Sequence, residues 1–312
     1  MGGYKKPTVC LGMPLYNQTE FLKQALESLL GQSYRDFRLV IVDDSSDDQS
    51  GEIAKQYAST DNRIHYFKNI SRKAIVDNWK LCVHSAGDAD YFAWVGDHDI
   101  WHTEWLESMV RVLDMHPNVV LVYPQAAHIT SAGQRRSKKL SQSFSTDGLG
   151  KAQRVRAVCK EARYYGKKVY GLYRVSALRR AGIFRRVLFP DVILLLELSL
   201  YGDFKQVDTE LWSMRQLADF SIARQKISLF VSKPWYIFLP WPLVNTAVLA
   251  WNTAIRPGVG NLRHRLLGFK MAVMYFYRWI GNLGEGSMIG SYHEWRKGKK
   301  PWIKKLRNQF RK

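Results

Sequence analysis

The chain has 312 residues, of which 46% are hydrophobic and 24% charged, with a formal net charge of +20 at pH 7. This length and composition predict a folded protein with a full hydrophobic core and exclude a disordered or fibrous chain. Residues 1–130 contain 12 Lys or Arg against 17 Asp or Glu, and residues 131–312 contain 35 against 10, which indicates an acidic half and a basic half with different functions.

The first 125 residues alternate short apolar runs with segments of helical periodicity. The runs predict five strands and the segments between them four helices, the first of which Thr19 would cap. Strands that alternate with helices in this way predict an α/β fold, with a mostly parallel sheet covered by helices on both faces. The predicted strands are residues 8–13, 37–42, 63–67, 90–95 and 119–123, and the predicted helices are about 21–29, 51–59, 74–86 and 104–115.

The chain after residue 125 is less regular. Residues 129–151 are polar and rich in Gly and Ser, which predicts a loop or a boundary. Residues 170–184 predict a strand that enters a helix, and residues 190–202 predict a further helix. We therefore expect residues 126–226 to complete the domain that the first 125 residues begin.

Acidic residues stand at the carboxyl ends of two predicted strands, where ligands bind in open parallel sheets. Asp43 and Asp44 follow the second strand, and Asp97 and Asp99 flank His98 after the fourth. The first strand continues as LGMPLYNQ, without the glycines of a dinucleotide-binding loop, and the sequence has no P-loop. A sheet that holds a nucleotide diphosphate without such a loop needs a divalent cation, for which carboxylates are the usual ligands.

Three motifs in order give a specific resemblance. The segment PLYNQTEFLKQALESLLGQSYRDFRLVIVDDSSDD, followed by GDHDIW, resembles the inverting glycosyltransferases of family 2, which have the GT-A fold. The resemblance covers roughly residues 7–216. It implies a Rossmann-like, mostly parallel sheet flanked by helices. It also implies an enzyme that uses Mg²⁺ or Mn²⁺ to move a sugar from a nucleotide sugar, which we expect to be UDP-linked, to an acceptor hydroxyl.

The resemblance implies roles for individual residues on the nucleotide side. Tyr16 would stack on the nucleobase, Asp44 would hydrogen-bond with it, and Arg72 would face the diphosphate. The full set implied to bind the nucleotide is Pro14, Tyr16, Asn17, Asp43, Asp44, Arg72 and Asp97.

The segment Asp97–Asp99 matches the DxD-like motif that binds the metal in this family. His98 departs from the family pattern, since some relatives have the metal-binding carboxylate at its position. We expect Asp97 and Asp99 to bind Mn²⁺ or Mg²⁺, with His98 as a third candidate ligand. The alternatives are that the two acids cap the helix near Thr103 and that His98 is a simple loop residue.

An inverting displacement needs a base that takes the proton of the acceptor hydroxyl. Asp191, in PDVILLLELSLYGDF, matches the catalytic base of the family, and a helix N-cap is its alternative role. Glu197 should point to a different face of the same helix. The QxxRW signature of processive members is absent, and LWSMRQ offers only Arg215, so we expect non-processive transfer.

The C-terminal region, residues 227–312, is aromatic and basic. Residues 234–255 contain no charged residue and are long enough to span a bilayer, but Pro240 and Pro242 make a poor spanning helix. A second span over 266–283 would bury charges. We therefore expect this region to lie on an anionic membrane surface, with core helices packed on the catalytic domain as the alternative.

Localisation follows from the thiols and from the start of the chain. Cys10, Cys82 and Cys159 are far apart and predict reduced cysteines, and the first ten residues show no signal sequence. We expect an enzyme at the inner face of the plasma membrane, acting on a lipid-linked glycan or a cell-envelope polysaccharide precursor. The alternatives are an inactive scaffold of the same fold and a basic nucleic-acid-binding protein, for which the sequence has no recognition motif.

Overall fold

A computed structural model of the chain describes residues 8–136, 143–161, 165–215, 217 and 222–281. Within these residues an eight-stranded sheet has the order β3-β2-β1-β4-β7-β6-β8-β5. The strands are β1 Val9–Leu15, β2 Phe37–Asp43, β3 Ile64–Lys68, β4 Tyr91–Trp94, β5 Ile100–Trp101, β6 Val119–Ile129, β7 Leu172–Arg174 and β8 Asp203–Arg215. All five strands that the sequence predicts are present.

The sheet is parallel in its first half and mixed in its second. β1 pairs in parallel with β2 and β4, and β2 does so with β3, so their carboxyl ends meet at one edge. β7 is antiparallel to both β4 and β6, whereas β6 and β8 are parallel. The predicted α/β sheet is therefore confirmed, with antiparallel pairs added by the second half of the chain.

Helices cover both faces of the sheet. Successive residues of a strand point to opposite faces of the sheet, and in β1 both faces are apolar. Cys10 belongs to one hydrophobic cluster and Leu11 to the other. The helices are α1 Leu22–Leu30, α2 Ser50–Thr60, α3 Ala74–His84, α4 Trp105–Met115, α5 Lys151–Glu161, α6 Val175–Ala181, α7 Pro190–Leu198, α8 Ile222–Ser228, α9 Trp241–Ala250 and α10 Leu262–Gly281. Short 3-10 turns occupy Tyr165–Tyr170 and Trp235–Phe238, and a π-helical turn occupies Trp251–Ile255.

Three local predictions were wrong. Thr19 does not cap α1, because its hydroxyl donates to Asp48 Oδ2 at 2.6 Å. The strand predicted over 119–123 continues to residue 129, where pairing with β8 outweighs the polar sequence. The helix predicted over 190–202 ends at residue 198, since the chain turns there to begin β8; a Cβ on Gly202 would lie 2.5 Å from the backbone oxygen of Asn118.

The C-terminal helices pack against the rest of the domain. The helices α9 and α10 run antiparallel. The contacts that show this are those of Trp241 with Trp279, Asn245 with Tyr275, and Thr253 with Gly268. Their inner faces join the cluster that contains most of α7, as the core-helix alternative predicted. In the described part of the chain, no helix combines the length and apolarity needed to cross a bilayer. The basic end of the predicted membrane-associating region, residues 282–312, lies outside the described residues.

Candidate active site

The loop after β2 is built by carboxylates whose oxygens are occupied inside the protein. Asp43 is fully buried; its Oδ1 accepts from the backbone N–H of Ser46 at 2.8 Å and its Oδ2 from the hydroxyl of Tyr66 at 2.6 Å. A Cβ on Gly51 would come within 3.1 Å of Asp43 Oδ2, so α2 begins in close contact with this carboxylate. Asp43 therefore shapes the loop.

Asp44 fixes the start of α3. It is 3% exposed, and its oxygens accept from the backbone N–H groups of Lys73 at 2.6 Å and Ala74 at 2.9 Å and from Asn69 Nδ2 at 3.0 Å. Ala74 has a φ of 63°, a conformation that L residues adopt only where other contacts hold it. The structure thus gives Asp44 a structural role, and its recognition of the nucleobase stays a prediction.

Tyr16, Asn17 and Arg72 lie together at the rim of this edge. The guanidinium of Arg72 lies 4.3 Å from the centre of the Tyr16 ring, which is 39% exposed. Asn17 has a φ of 48° and exchanges hydrogen bonds with Asp47, joining the loops after β1 and β2. Pro14 is half-buried in β1 beside Val42. An exposed aromatic ring with a cation beside it is a suitable surface for a base and a phosphate.

Asp97, His98 and Asp99 form a compact group after β4. The Nδ1 of His98 lies 2.5 Å from Asp97 Oδ1, and its Nε2 lies 3.9 Å from Asp99 Oδ1. Burial lowers the pKa of His98, but the hydrogen bond and charge of Asp97 outweigh it, so the net pKa is raised. Burial is also the main cause that raises the pKa of Asp99 to about 6, against the opposing effect of His98.

Arg215, at the end of β8, holds this group in place. Its backbone N–H donates to Asp99 Oδ1 at 2.8 Å, and its Nε donates to the carbonyl of His98 at 2.9 Å. The remaining guanidinium nitrogens donate to the carbonyls of Thr130 and Ser131 and to Gln24 Oε1. The sequence reasoning missed this role. In the sequence, Arg215 stands out only as the arginine of LWSMRQ, a segment that bears on processivity.

Asp191 lies in the first turn of α7, in the other half of the chain. Burial is the main cause that raises the pKa of the Tyr170 hydroxyl, and the charges of Asp99, Asp97 and Asp191 each add to the effect. Charge acts over several ångströms, so this effect does not by itself place the three carboxylates in contact with the hydroxyl. The ring of Tyr170 packs 5.5 Å from that of Trp79 and 5.1 Å from that of Trp212, which gives this region an aromatic wall.

Asp191 lies in the first turn of α7, and its role as the base stays a prediction. Phe189 is the N-cap residue and makes no side-chain cap, so the N-cap alternative for Asp191 was wrong. Burial raises the pKa of Asp191, opposed by the N–H groups of Val192 and of Asp191 itself. Glu197 forms a two-bond ion pair with Arg185, at 3.1 and 2.8 Å, which agrees with its predicted orientation away from the site.

The metal prediction can be tested against these side chains. Among the described residues, no group of three or more His, Cys, Asp or Glu is arranged as a metal site. Both oxygens of Asp99 already accept hydrogen bonds, from the backbone of Arg215 and from Trp212 Nε1. Oxygen and imidazole donors nevertheless suit Mn²⁺. If a cation binds here, Asp97 and His98 are the side chains that would hold it, and metal binding stays a prediction.

Replacing Arg215 with Lys should destabilise the protein. Lysine cannot reproduce the fork that joins His98, Thr130, Ser131 and Gln24, and buried carbonyls would lose their donors. We expect the free energy of unfolding in urea to fall by on the order of 2 kcal/mol. The matched control is Arg135→Lys, a half-exposed arginine whose partner is Glu210. Equal stability of both variants would contradict the role of Arg215.

Comparisons with known proteins agree with this geometry. The model of glycosyl transferase family 2 matches residues 10–185. The chain is 34% identical over 118 residues to a putative glycosyltransferase, EpsE, of Bacillus subtilis (strain 168), covering 37% of this chain and 42% of EpsE. It is 31% identical over 110 residues to the putative teichuronic acid biosynthesis glycosyltransferase TuaG of the same strain, covering 35% and 42%. These matches span less than half the length of either relative.

Solved structures show the same fold. Residues 1–349 of S. aureus TarS, in complex with UDP-GlcNAc, give a TM-score of 0.62 at 13% identity, covering 90% of this chain and 76% of that one. The mannosyltransferase PcManGT of Pyrobaculum calidifontis, with GDP-Man and Mn²⁺, gives 0.52 at 14% identity, covering 89% and 88%. Because the family match covers more than half of the chain and extends from β1 to α6, this protein belongs to glycosyl transferase family 2.

Proposed function

We propose that this protein is a metal-dependent, inverting, non-processive glycosyltransferase that transfers a sugar from a UDP-linked donor to a lipid-linked glycan or a cell-envelope polysaccharide precursor. The observation that carries the proposal is the group of Asp97, His98 and Asp99 after β4, which Arg215 at the end of β8 holds in place. Asp191 would complete the site from the first turn of α7, in the half of the chain that we expect to bind the acceptor. A displacement requires donor and acceptor to be held side by side in this way.

Asp191 acts as the base in this mechanism. The acceptor hydroxyl gives its proton to the Asp191 carboxylate while its oxygen bonds to the anomeric carbon of the donor sugar. The bond from that carbon to the diphosphate breaks on the opposite face, and the nucleoside diphosphate leaves with the electron pair. The raised pKa of Asp191 makes the carboxylate a stronger base than an exposed aspartate.

The nucleotide side binds and orients the donor. Tyr16 offers an exposed ring for the base, and Arg72 is free to turn from that ring towards the diphosphate. Asp97 and His98 would hold Mn²⁺ or Mg²⁺, which supplies positive charge to the leaving diphosphate when it is bound. The solved structures of TarS and PcManGT contain UDP-GlcNAc and GDP-Man with Mn²⁺, which supports a nucleotide-sugar donor here.

The outer surface of the C-terminal helices supports the proposed membrane partner. Exposed apolar residues recur at helical spacing on both helices, as Leu243, Trp251 and Ile255 near α9 and as Leu266 and Phe269 on α10. Residues 222–281 contain eight Lys or Arg and no Asp or Glu. An apolar surface in a region without acidic residues suits an anionic bilayer and would bring a lipid-linked acceptor to the enzyme. The same apolar surface argues against a nucleic-acid partner.

Replacing Asp191 with Asn should lower kcat by about 10²- to 10⁴-fold, because the amide cannot accept the proton. Donor affinity should stay within about twofold, since Asp191 is expected to contact the acceptor. The measurement is release of nucleoside diphosphate from UDP-N-acetylglucosamine, UDP-glucose and GDP-mannose with Mn²⁺, with water as acceptor. Only the ionised carboxylate is a base, so the wild-type kcat should fall on the acid side with an apparent pKa above the ordinary 3.8.

Asp61→Asn is the matched control for this variant, because Asp61 pairs with Arg63 at the other end of β3. An Asp191→Asn enzyme with wild-type kcat would place the base elsewhere. Absence of hydrolysis of every donor by the wild-type enzyme, together with absence of donor binding, would favour the inactive scaffold instead.

Replacing His98 with Ala should weaken the Mn²⁺ dependence of donor binding. If His98 is a ligand, the variant should need about tenfold or more Mn²⁺ to reach the same thermal stabilisation by UDP. His102→Ala is the control, since His102 is an exposed histidine in the same loop region. Thermal shifts recorded across a manganese series decide the matter, and identical curves for His98→Ala and the wild type would remove His98 from the site.

Replacing Trp251 and Phe269 together with Ser should release the protein from membranes. Co-sedimentation with phosphatidylglycerol vesicles at low salt should be strong for the wild type, weak for this variant, and weak for the wild type with phosphatidylcholine. The control is Phe67→Ser with Ile70→Ser, two exposed apolar residues in and just after β3. A wild-type protein that stays in the supernatant with phosphatidylglycerol would refute membrane attachment.

A further inference from the structure

The segment that delivers Asp191 to the site is strained. We call residues 186–191, which lead into α7, the base turn. Phe189 within it has φ 55° and ψ 52°, a left-handed conformation adopted without the freedom of glycine. Such a conformation persists only where surrounding contacts determine it. The contacts that hold the base turn therefore decide where the Asp191 carboxylate lies.

Those contacts come from the C-terminal region. Three side chains of residues 222–281 bond to the main chain of the base turn. The pairs are Tyr236 Oη to the carbonyl of Arg186 at 2.8 Å, Asn245 Nδ2 to the carbonyl of Leu188 at 2.9 Å, and the N–H of Phe189 to Gln225 Oε1 at 3.2 Å. In addition, the Phe189 ring packs 4.7 Å from that of Trp241 and 6.3 Å from that of Trp279. The strained residue is thus held on both its backbone and its ring.

Asn245 is the central member of this set. It is fully buried on α9, and its Nδ2 donates not only to Leu188 but also to the hydroxyl of Tyr275 on α10 at 3.0 Å. Tyr275 is also fully buried. The single amide of Asn245 therefore joins the base turn to α10.

The other atom of this amide has no compensating contact. Among the described residues Asn245 Oδ1 has no hydrogen-bond partner, although it is buried. A buried polar atom without a partner is unfavourable, so the place of Asn245 in the core depends on the two bonds that its Nδ2 donates.

We propose that Asn245 is a positioning residue for sugar transfer, which acts by fixing the base turn and, through it, the Asp191 carboxylate. The C-terminal helices are then part of the catalytic machinery as well as a candidate membrane surface. This inference rests on the proposed role of Asp191 as the base. It predicts that loss of the Asn245 amide lowers the rate of the chemical step and leaves the nucleotide side unaffected.

The test compares Asn245→Leu with Asn252→Leu. The control replaces the same residue type in the helical turn that directly follows α9, and the Nδ2 of Asn252 donates only to the carbonyl of Val248. For Asn245→Leu we expect kcat of donor hydrolysis to fall by about 10- to 100-fold with the donor KM within twofold, because small misplacement of a base is costly. Amide hydrogen exchange over residues 187–193 should accelerate at least tenfold. Asn252→Leu should match the wild type in kcat, in donor KM and in amide hydrogen exchange.

A double-mutant cycle separates positioning from general damage. If Asn245 acts through Asp191, adding Asn245→Leu to Asp191→Asn should cause no further loss of residual hydrolysis. The proposal would be contradicted if the double variant lost hydrolysis by the product of the two separate effects. Unchanged hydrogen exchange in Asn245→Leu would also contradict it. If Asp191→Asn keeps full activity, Asp191 is not the base. If Asp191→Asn is inactive and Asn245→Leu behaves like Asn252→Leu, Asp191 remains the base and Asn245 does not position it.

A second pair of variants applies if Asn245→Leu does not fold. Gln225→Leu removes the acceptor of the Phe189 N–H, whereas Gln225→Glu keeps an oxygen at the same place. We expect the first variant to lower kcat and to accelerate exchange over residues 187–193, and the second to restore both towards wild-type values. Equal behaviour of the two Gln225 variants would show that the C-terminal region does not position the base turn.

Discussion

The burial of Asp99 against β8 is the constraint on which the site depends. Its carboxylate is 2% exposed and accepts hydrogen bonds from the backbone of Arg215 and the indole of Trp212. In return the Arg215 guanidinium binds the carbonyl of His98 and two carbonyls that follow β6. The loop after β4 and the last long strand are thereby fixed to each other. This link adds to the pairing of β4 with β7 in joining the nucleotide half to the acceptor half.

This constraint changes the meaning of the acidic residues in the front half. The carboxylate oxygens of Asp43, Asp44 and Asp99 accept hydrogen bonds from backbone and side-chain donors of the protein itself. Such charge-assisted bonds hold loops in shapes that the backbone would not otherwise adopt, as at Ala74. Asp97 and Asp191 are the acids that we propose to face the substrate. Most of the acidic residues that follow β2 and β4 therefore stabilise loops, and few of them have a proposed role in the reaction.

The C-terminal helices contribute through two different faces. Their inner faces pack on α7 and bond to the segment that carries Asp191, while their outer faces expose apolar residues among basic ones. A surface suited to lipid and a surface that orders a base turn therefore lie on the same antiparallel pair. Any force that shifts α9 relative to α10 acts on Asn245 and Tyr275 together, because one hydrogen bond joins them. The proposed membrane attachment and the proposed positioning of the base would share these structural elements.

The α/β fold, the five strands of the front half and the family could be predicted from the sequence, because apolar periodicity and the motifs around Tyr16, Asp44 and Asp99 are local patterns. The sequence also predicts Asp191 at the start of a helix. The structure was needed to show which carboxylates are occupied by bonds within the protein, and to reveal Arg215 and Asn245. These contacts escape sequence reasoning because their partners are far apart along the chain. Asp99 and Arg215 are 116 residues apart, and Leu188 and Asn245 are 57 apart. A hydrogen bond between such residues is chosen by packing, which no local pattern records.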